Sequence, residues 1–138
     1  MEDGEAMASL AQYFCVSDAE TADALEVVID DALKIRCFCR SNWLYFWGEV
    51  APIQATDFES VQHLLRWNLA RVSQTDDVLA YDPPTATVYL LHRRPLSKLF
   101  LDNIFQEAET FTANLAFWVD AFAYRTAVPT ERLYVLGY

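Results

Sequence analysis

Glycine and cysteine are scarce in this chain of 138 residues. Its three glycines, Gly4, Gly48 and Gly137, lie too far apart to form a glycine-rich phosphate-binding loop. Three cysteines, an odd number, fit a reducing compartment better than a disulfide framework. No stretch reaches about 18 consecutive apolar residues, and the acidic N-terminus lacks the apolar region of a signal peptide. We therefore expect a cytoplasmic protein with no membrane partner.

Basic residues are also in the minority, with 10 Lys and Arg against 20 Asp and Glu. The resulting formal net charge of −10 repels phosphate backbones, which argues against a nucleic-acid partner. The first 33 residues hold nine of the acidic side chains and no Lys or Arg. We interpret this stretch as a solvated rim, and the alternative is a surface that steers a basic partner.

Residues with reactive or metal-binding side chains form no recognisable site. Cys37 and Cys39 lie on one side of a predicted strand, but a structural zinc site needs about four ligands, commonly in separated pairs. The other soft ligands, Cys15, His63 and His92, are not paired at a ligand spacing. Nothing in the sequence links either histidine to a cysteine as the general base of a nucleophile. The sequence therefore predicts no metal, no cofactor and no enzymatic activity.

The hydrophobic pattern predicts a single α+β domain over residues 1–138, with an antiparallel sheet of about five strands and three helices in the order α-β-β-β-α-β-β-α. The segment 33–40 alternates between a mainly apolar and a mainly charged set of residues, as a half-buried antiparallel strand does, and Ser41-Asn42 after it predicts a tight turn. The tail, residues 125–138, stays unassigned. The predicted elements are a helix over 5–14, strands Leu25–Asp30, Leu33–Arg40 and Trp43–Val50, a helix over 57–72, strands Val78–Tyr81 and Thr87–His92, and a helix from about Ser97 to Tyr124.

Two of these elements carry further signals. Thr56 and Glu59 fit a capping box at the start of the helix over 57–72, and Asn68 is predicted to be a buried hydrogen-bonding residue. Strand Trp43–Val50 has bulky side chains on both faces, which predicts a second covering layer. The apolar stripe predicted for the helix comprises Phe58, Val61, Leu64, Leu65, Leu69 and Val72.

The second half of the chain resembles a known family. The relevant runs are LLRWN (Leu64–Asn68), VLAYDPPTATVYLLHRRPL (Val78–Leu96) and FWVDAF (Phe117–Phe122). They resemble the class I, CesT/SycE-like chaperones of the bacterial type III secretion system, in which an L-L-x-x-N helix precedes a D-x-x-T-G-type hairpin and a long helix with a Trp near its end. Here Pro83-Pro84-Thr85-Ala86 stands in the hairpin turn, where the family often has Gly.

The resemblance implies a cytosolic homodimer that needs no cofactor and binds the extended N-terminal segment of a secreted effector, keeping it soluble and competent for secretion. We expect this segment to dock on the first helix and the first three strands, at Leu10, Tyr13, Phe14, Phe38, Leu44 and Phe46. The resemblance places the dimer contact on the second helix and the strand after it, at Leu65, Trp67, Leu69, Val72, Val78, Leu79 and Tyr81.

Two other functions stay open at this point. One is a regulatory protein of the same fold that binds an anti-activator or a component of the secretion apparatus. The other is a small-molecule-binding α+β domain, which would need a concave pocket with several converging polar groups.

Overall fold

The structure, a computed structural model, describes residues 1–16, 24–53, 57–71 and 76–127. It confirms the predicted α+β architecture and the predicted order of elements. The last helix starts later than predicted, because the side chain of Asn103 accepts a hydrogen bond from the Phe100 N–H at 2.8 Å and donates one to the Lys98 carbonyl at 3.0 Å, which holds a turn there. The elements are α1 (Asp3–Tyr13), β1 (Ala24–Ile29), β2 (Leu33–Arg40), β3 (Trp43–Pro52), α2 (Phe58–Arg71), β4 (Val78–Asp82), β5 (Thr87–Pro95), a 3₁₀ turn (Leu96–Lys98) and α3 (Ile104–Ala127).

The five strands form one antiparallel sheet in the order β1-β2-β3-β5-β4. Ser41 and Asn42 connect β2 to β3 with φ angles of 52° and 68°, so both central residues of this two-residue turn are left-handed. Such a turn matches the twist of the strands that it joins, and Asn tolerates this conformation well. The tight turn predicted at these two residues is thus present.

One face of the sheet packs against the helices and forms the core. The rings of Phe46 on β3 and Phe111 on α3 stack at 5.2 Å, and neither side chain is more than 2% exposed. Gly48 lets α3 come close to β3, since a Cβ added there would lie 2.6 Å from the methyl groups of Leu115. The sheet and α3 therefore share a tightly packed interface along the middle of the molecule.

Helix α2 packs by a face that differs from the predicted apolar stripe. Trp67 is only 5% exposed, and its ring lies 5.1 Å from Trp118 and 5.2 Å from Phe122 on α3. Leu65 and Leu69, which the prediction placed on the buried stripe, are instead 60% and 77% exposed. Burying the larger indole ring removes more apolar area from water than burying a leucine, and this favours the observed rotation of the helix.

The start of α2 also differs in detail from the capping box that the sequence predicts. Asp57 accepts a hydrogen bond from the Ser60 backbone N–H at 3.0 Å, so Asp57 takes the N-cap role that was predicted for Thr56. Thr56 itself lies outside the described residues.

Candidate protein-binding surfaces

The outer edge of strand β4 is covered by a side chain of α2. The Asn68 side-chain amide donates a hydrogen bond to the Leu79 carbonyl at 2.6 Å and accepts one from the Leu79 N–H at 2.7 Å. Asn68 therefore occupies the backbone groups of Leu79 as a neighbouring strand would, which confirms the predicted hydrogen-bonding role of this residue. An edge satisfied in this way offers less for a partner strand to pair with.

The opposite edge of the sheet is open among the described residues. Strand β1 pairs with β2 along its whole length, from Ala24 to Ile29, and no described strand pairs with its other side. Val28 on this strand is 57% exposed. Unpaired N–H and C=O groups at such an edge are a template for an extended segment of another chain.

A cluster of aromatic side chains lies where the end of α1 meets the start of α3. The ring of Tyr13 is 4.9 Å from that of Phe14 and 5.5 Å from that of Phe105. Phe105 is 38% exposed, and Phe100 and Leu101, which precede α3 in the chain, are 58% and 70% exposed. We call these five residues the α1–α3 patch, and the exposure of Phe100, Leu101 and Phe105 marks it as a candidate contact for apolar side chains of a partner.

The sheet face turned away from the helices is also aromatic. The rings of Phe38 and Tyr45 stack at 5.0 Å, and Trp47 lies 5.5 Å from Phe38 and 6.3 Å from Tyr89. None of these four side chains belongs to the core cluster or packs against it. We call this surface the open sheet face. Bulky residues on both faces of β3 predict a second covering layer, and no helix of the described segments provides one.

The six residues predicted to bind an effector do not form one surface. Leu10, Leu44 and Phe46 are 0% exposed and belong to the core of the single chain. Tyr13 and Phe14 are half-buried in the α1–α3 patch, whereas Phe38 lies on the open sheet face. The alternation along β3 separates its two faces, but both carry bulky side chains, so β3 by itself does not tell which face the helices cover.

Residues of both candidate surfaces were missed in the prediction. Phe100, Leu101 and Phe105 fall within the helix predicted from about Ser97 to Tyr124, and none of them was predicted to bind a partner. Tyr45 and Trp47 could have been identified from the sequence, because alternate residues of a strand lie on the same face and these two share a face with Trp43. Leu44 and Phe46 lie on the other face. Phe38 shares its face of β2 with the charged residues Lys34, Arg36 and Arg40. Their charge is the signal that marks this face as the solvent side.

The residues predicted to form a dimer contact divide into two groups. Leu65, Leu69 and Val78 are exposed, the last to 43%. Trp67 and Leu79 are 5% and 4% exposed and are interior residues of the single chain. Tyr81 is half-buried and donates a hydrogen bond to the Ile53 carbonyl at 3.3 Å, and Val72 lies outside the described residues.

A cluster of charged side chains on the helix side of the sheet joins the residue before β4, strand β5 and helix α3. The two ring nitrogens of His92 lie 2.6 Å from an Asp77 oxygen and 3.1 Å from a Glu107 oxygen. Arg94 contacts Glu107 at 2.9 Å, and Asn114 donates a hydrogen bond to Asp77 at 2.8 Å. Burial lowers the pKa of His92, but the hydrogen bonds and charges of Asp77 and Glu107 outweigh it, so the pKa lies above the usual 6.5. The geometry suits an imidazolium that donates to both carboxylates.

The cysteine thiols are poor metal ligands in this setting. Burial, with a smaller contribution from Cys39, raises the pKa of Cys37 to about 12. Burial, followed by the charge of Asp3, raises that of Cys39 to about 11. Both thiols therefore stay protonated near neutral pH. Within the described part of the chain, no group of three His, Cys, Asp or Glu side chains is placed to hold a metal ion, and no helix is long and apolar enough to cross a membrane.

Comparison with known proteins finds likeness in structure only. No protein-family model matches the sequence. No curated protein matches it either. A chain of the ExsC–ExsE complex superposes with a TM-score of 0.71 at 14% identity, over 85% of this chain and 90% of that chain.

Two further complexes contain similar chains. One is the ExoU–SpcU complex of the type III secretion system of Pseudomonas aeruginosa, with a TM-score of 0.60 at 14% identity over 83% of this chain and 94% of that chain. The other is the HopA1–SchA chaperone–effector complex, with a TM-score of 0.59 at 16% identity over 72% and 77%. The chain therefore shares its fold with a chain of each of these three complexes.

Proposed function

We propose that this chain is a cytoplasmic chaperone of type III secretion, which binds an extended N-terminal segment of a secreted effector and keeps it competent for secretion. The observation that carries the proposal is the combination of this fold with one open sheet edge, β1, and one blocked edge, β4. The chain acts by binding, not by catalysis.

The effector segment pairs with β1 through its backbone, and its apolar side chains contact the α1–α3 patch. Helix α1, which carries Tyr13 at its end, packs on β1 and β2, so both contacts are made on the same side of the molecule. Backbone pairing gives affinity for many sequences, while side-chain pockets give selectivity. Ordering a disordered segment costs entropy, so a few apolar anchors carry most of the affinity.

The first experiment captures the partner from the native host and identifies it by mass spectrometry. A secreted effector supports the proposal, whereas an anti-activator or a component of the secretion apparatus supports the regulatory alternative. The purified pair then allows the surface to be tested. Phe105→Glu should weaken partner binding strongly, and Phe117→Glu, on the same helix and 50% exposed, should not. Equal effects of the two variants would place the site elsewhere.

We also propose that the chain forms a homodimer through the outer face of α2. Leu65 and Leu69 are one helical turn apart and are both exposed, and Val78 at the start of β4 is exposed as well. A symmetric contact across such residues would remove them from water in both copies. Leu69→Asp should convert the dimer to a folded monomer, as measured by light scattering and circular dichroism. A wild-type chain that is monomeric at micromolar concentration would contradict this.

A further inference from the structure

The segments that build the proposed binding surface contain no lysine or arginine. Residues 1–33 include α1 and β1, and residues 99–124 include most of α3 together with the rest of the α1–α3 patch. These two segments hold 13 of the 20 acidic residues and none of the 10 Lys and Arg. The charge of the chain is therefore divided unevenly, and its acidic part lies on the elements that carry the open strand edge and the patch.

Two carboxylates flank the patch directly. Asp102 follows Leu101, and Glu109 lies one helical turn after Phe105 on α3, and both are exposed. Burial raises the pKa of Tyr13, and the charge of Glu109 raises it further, which places this carboxylate near the ring of Tyr13. Neither Asp102 nor Glu109 forms an ion pair with a cation of the described residues.

The carboxylates of the open sheet face, in contrast, lie beside cations of the same chain. Glu49 is 3.7 Å from Lys34, and Glu26 is 4.0 Å from Arg36. A carboxylate that already has a cation beside it offers less to a second one. The carboxylates at the α1–α3 patch therefore mark the place where charge favours a partner.

Two positive groups lie before the patch, at the 3₁₀ turn. Lys98 is exposed there, and the Met1 amino group donates a hydrogen bond to the Leu96 carbonyl at 3.0 Å. The two carboxylates of the patch, together with three acidic residues among the first five of the chain, outnumber them. Charges further away are screened over about 8 Å at physiological ionic strength, so the local balance, which is negative, decides.

We infer that the partner segment bound at β1 and the α1–α3 patch is basic, with Lys or Arg on both sides of an apolar anchor residue. The inference rests on the proposed function, which locates the segment, and it adds the chemistry that the segment carries. The anchor packs on Phe105, and the long side chains of the flanking cations reach Asp102 and Glu109. Exposed ion pairs add little affinity each, so these charges act mainly by selecting the partner and by speeding its association.

The test measures the fluorescence anisotropy of a labelled peptide that has a central Leu-Val-Leu run between pairs of Lys. Two comparison peptides replace every Lys by Gln or by Glu. Glu109→Lys and Asp102→Lys reverse the charge beside the patch, and Phe105→Ser removes the apolar contact without a change of charge. The matched control is Glu59→Lys, on an exposed residue of α2, the helix that covers β4 at the other edge of the sheet. Circular dichroism checks that each variant is folded.

We expect the Lys peptide to bind saturably and more tightly than the Gln peptide, and the Glu peptide to bind most weakly. Each charge reversal at the patch should weaken binding of the Lys peptide about three- to tenfold, because it turns an attraction into a repulsion. Phe105→Ser should weaken binding of the Lys and Gln peptides alike, and Glu59→Lys should leave both nearly unchanged. Raising the salt concentration from about 0.05 M to about 0.5 M should slow association of the Lys peptide but not of the Gln peptide.

Three results with the peptides would overturn the inference. They are no saturable binding of the Lys peptide, equal binding of the Lys and Gln peptides, and equal losses in Glu59→Lys and the two charge reversals at the patch. Equal binding of the Lys and Gln peptides leaves the proposed function intact, because backbone pairing and apolar anchors remain. The proposed function fails separately, if capture from the host yields no secreted effector. Loss of self-association in Phe105→Ser, seen by sedimentation, would show that a second copy of the chain occupies the surface, and this too would overturn the inference.

Discussion

Replacing Asn68 by Ala tests the role of the side chain that closes the edge of β4. The variant removes two hydrogen bonds, the donation to the Leu79 carbonyl at 2.6 Å and the acceptance from the Leu79 N–H at 2.7 Å. Leu79 is 4% exposed, so water replaces the lost partner poorly. Both backbone groups of Leu79 then face a site without a hydrogen-bonding atom.

The expected loss of stability follows from these two bonds. A buried donor or acceptor left without a partner costs about 1–3 kcal/mol, and partial access of water reduces this. We therefore expect Asn68→Ala to lower the free energy of unfolding by about 2–4 kcal/mol, a large part of the total for a domain of this size. Asn68→Asp should be at least as destabilising, because a carboxylate oxygen would face the Leu79 carbonyl.

Urea denaturation and hydrogen exchange measure this effect. The control is Gln62→Ala, an exposed change on the same helix, which should stay within about 0.5 kcal/mol of the wild type. Exchange of the Leu79 amide proton should become faster in Asn68→Ala. A loss below about 0.5 kcal/mol together with unchanged exchange at Leu79 would refute the role that we assign to Asn68.

Three further predictions concern the interior. Because the pKa of His92 is raised above 6.5, its contribution to stability is fully present below that pH and is lost as pH rises through the folded-state pKa. His92→Gln should flatten this part of the pH dependence of the urea midpoint, and an unchanged slope would contradict it. Gly48→Ala should lower the stability of the fold by about 1–3 kcal/mol, because the added Cβ clashes with α3. Its control is Gly4→Ala, where a Cβ meets nothing within 4 Å and the effect should be neutral or slightly stabilising. Equal effects of the two variants in thermal denaturation would count against this. Cys15, which is exposed, should react with a thiol reagent in the native state, whereas Cys37, which is buried, should react only after unfolding.

Several features followed from local sequence alone. The alternation in 33–40 predicted β2 with its correct faces, and Ser41-Asn42 marked the turn, because side-chain parity and left-handed φ angles are properties of short segments. Asn68 was predicted to form buried hydrogen bonds because an amide beside an apolar stripe needs partners. The order of the eight helices and strands, and hence the fold class, was predicted from the same local signals.

Other features depended on the tertiary structure. Helix α2 has apolar residues around much of its surface, and only packing against Trp118 and Phe122 determines that Trp67 points inward while Leu69 points outward. Both faces of β3 are bulky, so the position of α3 determines that Phe46 is core and that Tyr45 is not. Periodicity defines the faces of an element but not the element that covers each face.

The order of the strands decided the candidate binding surfaces. It leaves β1 at one open edge and brings β4 against Asn68 at the other. The composition predicts an acidic chain, yet six of its basic residues lie on β2, on β5 and in the 3₁₀ turn after β5. These are pairings between segments far apart in the chain, which no local pattern encodes, and they arise only when the whole sheet and its helices pack together.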